Sequence, residues 1–366
     1  MNLTTGRNTY SISKVYISGK EIIEFSSATL NIPGNNEVNS LRVTIMDPGY
    51  QNAHLFNAKV EFYINEGGVQ STPTFVGYIK EVNPSDTSIM IVAYDPRVFI
   101  SGQDAEPIAI TDRNNYDGYT AIQFLVDVIS KNINTDTETR IDLSALGDFE
   151  PAVTMSGYRT KGKSPYEVFL DVMEGKIDDE NPEDPLPFYI DMVGNKLIVG
   201  KRKRLMPGDP KEEQLPSGNK AYILSYNDGL MSLRYTNVNP PTRGVAIGSD
   251  GGWGSFQYGN IAAGVSGRTI SGDKKNNAEL SDLARIEVMK DYNETKEIKA
   301  VVSRGYHIGL ENIVFLSVPD RVLRGKHRVT SKTITADRNG VHCTLGLDKR
   351  EPRVGDYIER KITTRR

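Results

Sequence analysis

Short runs of alternating apolar and polar residues dominate the first hundred positions of the chain. Val43 and Ile45 alternate with polar residues in one run, and Val60, Phe62 and Ile64 do so in the next. Successive side chains of a strand point to opposite faces, so these runs predict half-buried strands. Turn residues separate the runs at short intervals, which is typical of a β-barrel or a β-sandwich.

The hydrophobic pattern takes a helical period between residues 105 and 205. Apolar residues recur at intervals of three and four over 119–133, which predicts a helix. A second helix is predicted to begin at Ser164-Pro165, where Ser164 and Glu167 can form a capping box. A later apolar run is expected to turn as a hairpin at Gly194-Asn195. The segment is therefore interpreted as a small α+β insert.

An unusual stretch interrupts the β pattern that returns after residue 205. Residues 244–272 contain nine glycines and the only tryptophan, Trp253. Because glycine opposes regular packing, we expect a long exposed loop there. A helix is predicted over 279–294, and strands follow it up to a hairpin turn at Arg338-Asn339-Gly340.

These changes of pattern predict a mainly β fold with an α+β insert, divided into six segments. They are a first β unit, the insert, the start of a second β unit, a Gly-rich insertion, the helix with the remaining strands of the second unit, and a basic tail. In chain order the segments are 1–104, 105–205, 206–243, 244–278, 279–350 and 351–366.

Composition narrows the class of protein. Only 38% of the 366 residues are hydrophobic, against roughly 45–50% in globular proteins when glycine is included, so we expect thin or divided cores. The net charge of -3 excludes a bulk polycation that binds nucleic acid. The lone Cys343 excludes an intramolecular disulfide and a thiolate zinc cluster. No apolar run is long enough for a transmembrane helix, and the first residues do not predict a secretory signal.

No catalytic constellation emerges from the sequence, which lacks the HExxH and GxSxG motifs. His327, His342 and Cys343 could be imagined as metal ligands, but adjacent strand residues point to opposite faces, so surface histidines and a buried cysteine are favoured. The remaining candidates are best explained as chance acidic pairs and a solvated strand end; they are Asp104 with Glu106, Asp171 with Glu174, and the basic run 201–204. We therefore expect no catalytic residue, no metal site and no cofactor.

Three separated segments follow one another in the order found in a known family. The first is Phe75-x-Gly77-x-Ile79 with a following strand that Asp95 closes. The second is SPYEVFLDVMEGK followed by FYIDMVGNKLIVG. The third runs from the 279–294 helix through NIVFLSV and Gly325-x-x-Arg328 to the final hairpin. In this series the chain resembles the baseplate hub family of phage tails and related contractile injection systems, the late-control D and gene-product-27-like hub proteins.

The resemblance implies two tail-tube-like β-barrels per chain and a homotrimeric ring. Such a ring would adapt a hexameric tail tube to a trimeric central spike and line the channel for DNA or cargo. The implied partners are further copies of the chain, the tail tube protein, the central spike protein, baseplate wedge proteins and the tape-measure protein. DNA would pass without specific binding. The resemblance further implies a non-enzymatic virion protein that is assembled in the host cytoplasm and does not insert into a membrane.

Two other functions stay open on the sequence. A tail-associated cell-wall hydrolase would need a pair of carboxylates or a histidine-based site in a cleft. A receptor- or carbohydrate-binding tail-tip module could use Trp253, Phe256 and Tyr258 as stacking residues. We favour these three aromatic residues as contacts to a neighbouring subunit or to the spike, because aromatic residues often anchor protein interfaces.

Overall fold

The computed structural model describes residues 11–34, 37–46, 55–66, 72–101, 116, 118–135, 138–146, 164–174, 188–201, 222–227, 229–237, 243–257, 267–272, 276–278, 280–281, 283–285, 288, 296–303, 305–320 and 323–348. The strands of the first segment are β1 (Ser11–Ile17), β2 (Lys20–Ile22), β3 (Phe25–Ile32), β4 (Ser40–Ile45), β5 (Lys59–Glu66), β6 (Phe75–Pro84) and β7 (Ile89–Tyr94). The insert contains α1 (Ala121–Asn132), α2 (Pro165–Glu174), β8 (Phe188–Val193) and β9 (Lys196–Lys201). The later strands are β10 (Tyr222–Leu224), β11 (Leu230–Asn237), β12 (Arg243–Gly248), β13 (Trp253–Gln257), β14 (Gly267–Gly272), β15 (Lys296–Val302), β16 (Ile313–Leu316), β17 (Gly325–Asp337) and β18 (Gly340–Leu347).

Hydrogen bonds join thirteen of these strands into one large sheet, whose main path runs β11-β15-β18-β17-β3-β4-β7-β6-β5-β1-β2. Strand β16 pairs with β17, and β10 lies parallel to β16. The two predicted β units meet where β17 pairs with β3, from Lys332 opposite Ile32 to Asp337 opposite Ser27. The mainly β fold with an α+β insert is thereby confirmed, whereas closure into two barrels stays a prediction, as do the six segment boundaries.

The alternation predicted from the sequence determines the two faces of this sheet. In β4, Leu41, Val43 and Ile45 are buried while the residues between them are not. The same rule holds in β18, where Cys343 and Leu345 are buried. Side chains from both β units pack into a single core cluster on the buried face. The two units therefore share one core as well as one sheet.

Gly77 confirms the close backbone approach that its position in a strand predicts. A methyl group on its Cα would lie 2.6 Å from the carbonyl oxygen of Tyr94 and would overlap the ring of Phe75. A bulge follows between Ile79 and Glu81. Glycine at this position lets β6 bend between its two neighbouring strands.

The insert has its own core, built mainly by α1, α2 and the β8–β9 hairpin, with Phe124, Phe169 and Leu197 among its buried residues. The capping box at α2 is confirmed: the Ser164 amide donates to Glu167 (2.7 Å), and the Glu167 amide donates to the Ser164 hydroxyl (3.2 Å). The hairpin turns at the predicted Gly194-Asn195, between β8 and β9. Local sequence signals therefore determine where α2 begins and where the β8–β9 hairpin turns.

A buried ion pair lies where β7 leads into the insert. Asp95 caps a 3-10 turn at Pro96–Phe99, and its carboxylate accepts hydrogen bonds from Nε (3.0 Å) and Nη2 (2.6 Å) of Arg97 and from the Asn39 amide (2.7 Å). Nη1 of Arg97 donates to the hydroxyl of Tyr166 in α2 (3.4 Å). Burial by itself would lower the pKa of Arg97, but the Asp95 carboxylate outweighs it and raises that pKa. Arg97 therefore stays charged and ties the β unit to the insert.

A second contact at this junction surrounds the ring of Phe99. Lys80 lies over the ring with Nζ 5.2 Å from its centroid, and the Arg140 guanidinium lies 4.9 Å from it. The Tyr78 hydroxyl donates to Glu138 (2.9 Å), and Arg140 pairs with the same carboxylate (2.9 Å). Burial, followed by this hydrogen bond, raises the pKa of Tyr78, so the hydroxyl remains a donor.

The expectation of a long exposed loop over 244–272 is wrong for the residues that the structure describes. Strand β12 pairs with β13 as an antiparallel hairpin and with β14 in parallel, which makes a separate three-stranded sheet. Helical residues lie at 277–278, 280–281, 283–285 and 288, which agrees with the first part of the helix predicted over 279–294; the part after residue 288 lies outside the described residues. We call these three strands and this helical segment the glycine-rich module.

Two glycines explain why strands form where the composition suggested a loop. A Cβ on Gly254 would overlap the Ser281 amide and lie 2.5 Å from the Leu280 carbonyl carbon. A Cβ on Gly244 would lie 2.6 Å from the side chain of Val288. The glycines thus let the helical segment lie directly on the sheet, where Ala284 is fully buried.

Replacing Arg97 with Met should lower the free energy of unfolding by about 3–5 kcal/mol, because Asp95 would keep a buried charge without its partner. Urea denaturation measures the change. The matched control is Lys131→Met, which breaks the exposed pair with Asp127 (2.7 Å) and should leave stability nearly unchanged. Equal effects of the two substitutions would contradict the role given to the buried pair.

Replacing Gly254 with Ala should cost about 1–3 kcal/mol of stability, because the added methyl group forces the helical segment off the sheet. Hydrogen exchange should show lost amide protection across β12 and β13. Gly309→Ala is the control, since the nearest atom to its Cβ would be 3.7 Å away in the Asn312 side chain. Unchanged protection in Gly254→Ala would refute this packing.

Candidate interaction surface

The residues considered for catalysis or metal binding do not assemble into a site within the described part of the chain. No group of three His, Cys, Asp or Glu side chains lies close enough there to hold a metal ion. Asp104, Glu106 and residues 202–204 lie outside the described residues. Asp171 and Glu174 belong to α2. None of the described helices has the length and apolar character that a membrane span requires.

His327 differs from its expected surface position, because it is only 8% exposed. Its Nδ1 lies 2.6 Å from the carboxylate of Asp348, and its Nε2 lies 2.8 Å from the carbonyl oxygen of Leu323. Asp348 also accepts from the Arg328 amide (2.9 Å). Both ring nitrogens are therefore occupied in a bridge that ties the end of β18 to β17. A single sequence carries no sign of this bridge, since its partner Asp348 lies 21 residues away.

Cys343 and Lys332 are buried polar groups of the large core. The Lys332 ammonium donates to the carbonyl oxygens of Tyr306 (3.1 Å) and Ile308 (2.8 Å). Burial lowers the pKa of Lys332 and raises the pKa of Cys343 to about 12. Reactive cysteines have a lowered pKa and some exposure, so Cys343 is a structural thiol. The predicted buried cysteine is confirmed.

The three aromatic residues chosen from the sequence have different positions. Trp253 begins β13 and is 59% exposed. Phe256 packs against the core of the glycine-rich module together with Ala246, Leu280 and Ala284. Tyr258 lies outside the described residues. Of the two aromatic residues that the structure describes here, Trp253 and Phe256, only Trp253 can therefore contact a partner without rearrangement of the module.

Ile247 is a further exposed apolar residue that the sequence analysis did not single out. It lies directly opposite Trp253 in the β12–β13 hairpin and is 45% exposed. Directly opposed residues of an antiparallel pair share one face, which is here the face away from the helical segment. We call this surface the Trp253 face; its members are Val245, Ile247, Trp253, Ser255, Thr269 and Ser271. Alternation within β12 could have revealed Ile247, had this stretch been recognised as strands.

The tight turn that closes the hairpin holds the Trp253–Ile247 pair in place. The Gly248 amide donates to the carbonyl of Gly252 (2.8 Å), and the Gly251 amide donates back to Gly248 (3.1 Å). Gly251 has a φ of +85°, which glycine adopts without strain. The pair therefore lies at the tip of a rigid hairpin, a suitable position for an apolar anchor.

In the native protein, Cys343 should not react with iodoacetamide near pH 8, whereas urea-unfolded protein should react at this single thiol.

The same burial predicts how stability depends on pH. In the folded protein the pKa of Cys343 is about 12, above the ordinary thiol value of 9.0. Stability relative to Cys343→Ala is thus fully present below pH 9 and should fall as the pH rises towards 12. Thiol counting and urea titrations across this range measure both effects. Fast labelling of the native protein would contradict the inert role.

No protein-family model matches the sequence, and no curated protein matches it. The fold is similar to that of the 43 kDa tail protein of prophage MuSo2 from Shewanella oneidensis, with a TM-score of 0.64 and 10% identity over 93% of this chain and 97% of that one. It is also similar to the tail protein of Neisseria meningitidis MC58, with a TM-score of 0.58 and 12% identity over 93% and 96% of the two chains. A type VI secretion component of Escherichia coli, described as structurally similar to the phage T4 tail proteins gp27 and gp5, matches with a TM-score of 0.49 and 10% identity over 92% and 77%. This chain thus shares its fold with prophage tail proteins over nearly its whole length, which agrees with the resemblance found in the sequence, whereas the two closed barrels stay a prediction.

Proposed function

We propose that this protein is a structural hub of a phage-tail or related contractile-injection baseplate. Three copies form a ring that joins the hexameric tail tube to the trimeric central spike and lines the channel for DNA or cargo. The observation that carries the proposal is the fold shared with the MuSo2 prophage tail protein across 97% of that chain. The same order of β unit, α+β insert and second β unit supports it from the sequence.

The ends of the large sheet support assembly through strand edges. Strands β11 and β2 are the two ends of the main path, and no other described strand pairs with their outer sides. β11 has eight residues, and Met231 within it is 62% exposed; near it Ile223 and Tyr226 are 43% and 55% exposed. A long edge strand with exposed apolar side chains is a site where another chain can pair. When two different edges of one chain meet, the interface is heterologous and can close into a ring.

The Trp253 face supports a second contact, to a neighbouring subunit or to the spike. Its exposed Trp253–Ile247 pair is small, apolar and rimmed by Ser and Thr side chains. An aromatic anchor inside a polar rim is the usual anatomy of an interaction hot spot. The wedge and tape-measure proteins remain further proposed partners.

The proposed role is structural and needs neither a cofactor nor a metal. DNA would pass the ring without specific binding, and the net charge of -3 agrees with a channel that does not retain phosphate. The proposed location is the virion tail, after assembly in the host cytoplasm.

Sedimentation of the purified protein at micromolar concentration, alone and co-expressed with the spike protein, tests the assembly. We expect a species of three times the 40.6 kDa chain mass. A chain that stays monomeric under both conditions would sink the hub proposal.

Trp253→Ala should lower the affinity of the contact that the Trp253 face makes by roughly 30-fold or more, the usual effect of losing a hot-spot residue. Ser255→Ala, on the same face, is the matched control and should assemble normally.

A further inference from the structure

The face of the large sheet that points away from the core has an unusual composition on four neighbouring strands, β18, β17, β3 and β4. Its side chains are short and polar, and eight of the twelve are Ser or Thr. In chain order they are Ser27, Thr29, Asn31, Ser40, Arg42, Thr44, Ser331, Thr333, Thr335, Asp337, His342 and Thr344. We call this surface the hydroxyl face.

Strand register makes the hydroxyl face continuous across both β units. Thr333 lies opposite Thr344 on one side and opposite Asn31 on the other, and its hydroxyl contacts the Asn31 amide oxygen (3.2 Å). In the next row, Thr335 lies between His342 and Thr29. Among the described elements, the main packing contacts of these four strands are with other strands of the sheet. Within the described part of the chain, the face is therefore a continuous polar surface.

The hydroxyl face has a low formal charge. Arg42 and Asp337 are the two Lys, Arg, Asp or Glu residues among its twelve members, and their charges are opposite. Exposed protein surface ordinarily contains roughly 25–35% Lys, Arg, Glu and Asp. The strands at the far end of the same sheet follow that rule, with exposed pairs of Lys14 with Glu21 and Lys59 with Glu61. The low charge is thus a property of these twelve positions; the charged residues Lys326 and Arg328 of β17 lie before its bulge, where β17 pairs with β16.

We propose that the hydroxyl face forms the wall of the channel and that a nucleic acid duplex slides along it. This inference rests on the proposed ring. Cationic side chains would hold phosphates with an affinity that rises steeply at low salt. An apolar wall would adhere to other macromolecules. Hydroxyl and amide groups do neither, because they are uncharged and remain hydrated. A polyanion therefore meets only one cation per chain on this wall, Arg42, and no cluster of cations that would hold it.

Cysteine accessibility in the assembled ring tests where the face lies. Thr333→Cys should react with a small maleimide but not with a polyethylene-glycol maleimide too large to enter the ring. Ser130→Cys, at an exposed position of α1 outside both proposed surfaces, is the control and should react with both. The native Cys343 is fully buried and gives no background. Sedimentation of the same samples shows whether the ring exists, so its absence refutes the proposed function. An intact ring whose Thr333→Cys reacts with both reagents overturns this inference alone.

Added charge tests what passes along the wall. In a trimer, Thr333→Lys with Thr335→Lys places six lysines on it, and short DNA should then bind about a thousandfold more weakly at roughly 200 mM than at roughly 50 mM salt. A duplex blocked at both ends by streptavidin should not bind, because it cannot thread the ring. The control Ser130→Lys with Asn132→Lys, at exposed positions of α1, should bind open and blocked duplexes equally. If the variant with Thr333→Lys and Thr335→Lys bound both duplexes equally, the proposal would be refuted.

Polyglutamate serves as a polypeptide probe of the same variant. If it bound and open duplex did not, the wall would be assigned to polypeptide cargo and the nucleic acid assignment would be overturned.

Discussion

The register of strand β17 is the constraint on which the rest of the structure depends. Along its 13 residues β17 pairs with β16, β18 and β3, so its hydrogen bonds join the two β units. A bulge between Val329 and Ser331 shifts its pairing with β18. Beyond the bulge, Ile334 faces the core while Thr333 faces outward. A slip of one residue would exchange the two sets and bury hydroxyl groups in place of apolar side chains.

Two attachments extend this sheet, and different physical interactions hold them. The insert is tied by the buried Asp95–Arg97 pair, whose charges are stable because each satisfies the other and the Asn39 amide and the Tyr166 hydroxyl satisfy the remaining groups. The glycine-rich module is built by close packing, since Gly244 and Gly254 let a helical segment touch the sheet backbone. The first attachment depends on charge and the second on the absence of side chains.

Among the described residues, the large sheet has one apolar face, one hydroxyl face and two end strands without a further neighbour, an arrangement that suits the proposed assembly around a passage. The apolar face builds the common core, and the end strands could offer backbone groups to neighbouring copies. In the proposed ring, the hydroxyl face would present few groups that attract phosphate or apolar surfaces. The low hydrophobic fraction of 38% agrees with this proposal, in which partners cover part of the surface.

Local chemistry in the sequence was enough to predict much of the secondary structure. Alternation identified β4 to β7, the capping box located α2, and the hairpin at Gly194-Asn195 followed from its turn residues. Of the candidate contact residues, Trp253 is exposed as its role requires, whereas Phe256 packs inward. The strands of the glycine-rich module could not be predicted, because glycine disfavours a strand until a helix packs against it.

Which strands become neighbours was decided only by the tertiary structure. Periodicity states which residues share a face, but it carries no information on what that face or edge will meet. The pairing of β17 with β3 brings together Thr333 and Asn31, which are 302 positions apart. The burial of His327 likewise depends on Asp348 and on the Leu323 carbonyl. Such contacts form because burying the shared apolar face and pairing every buried polar group favour one arrangement of the whole chain.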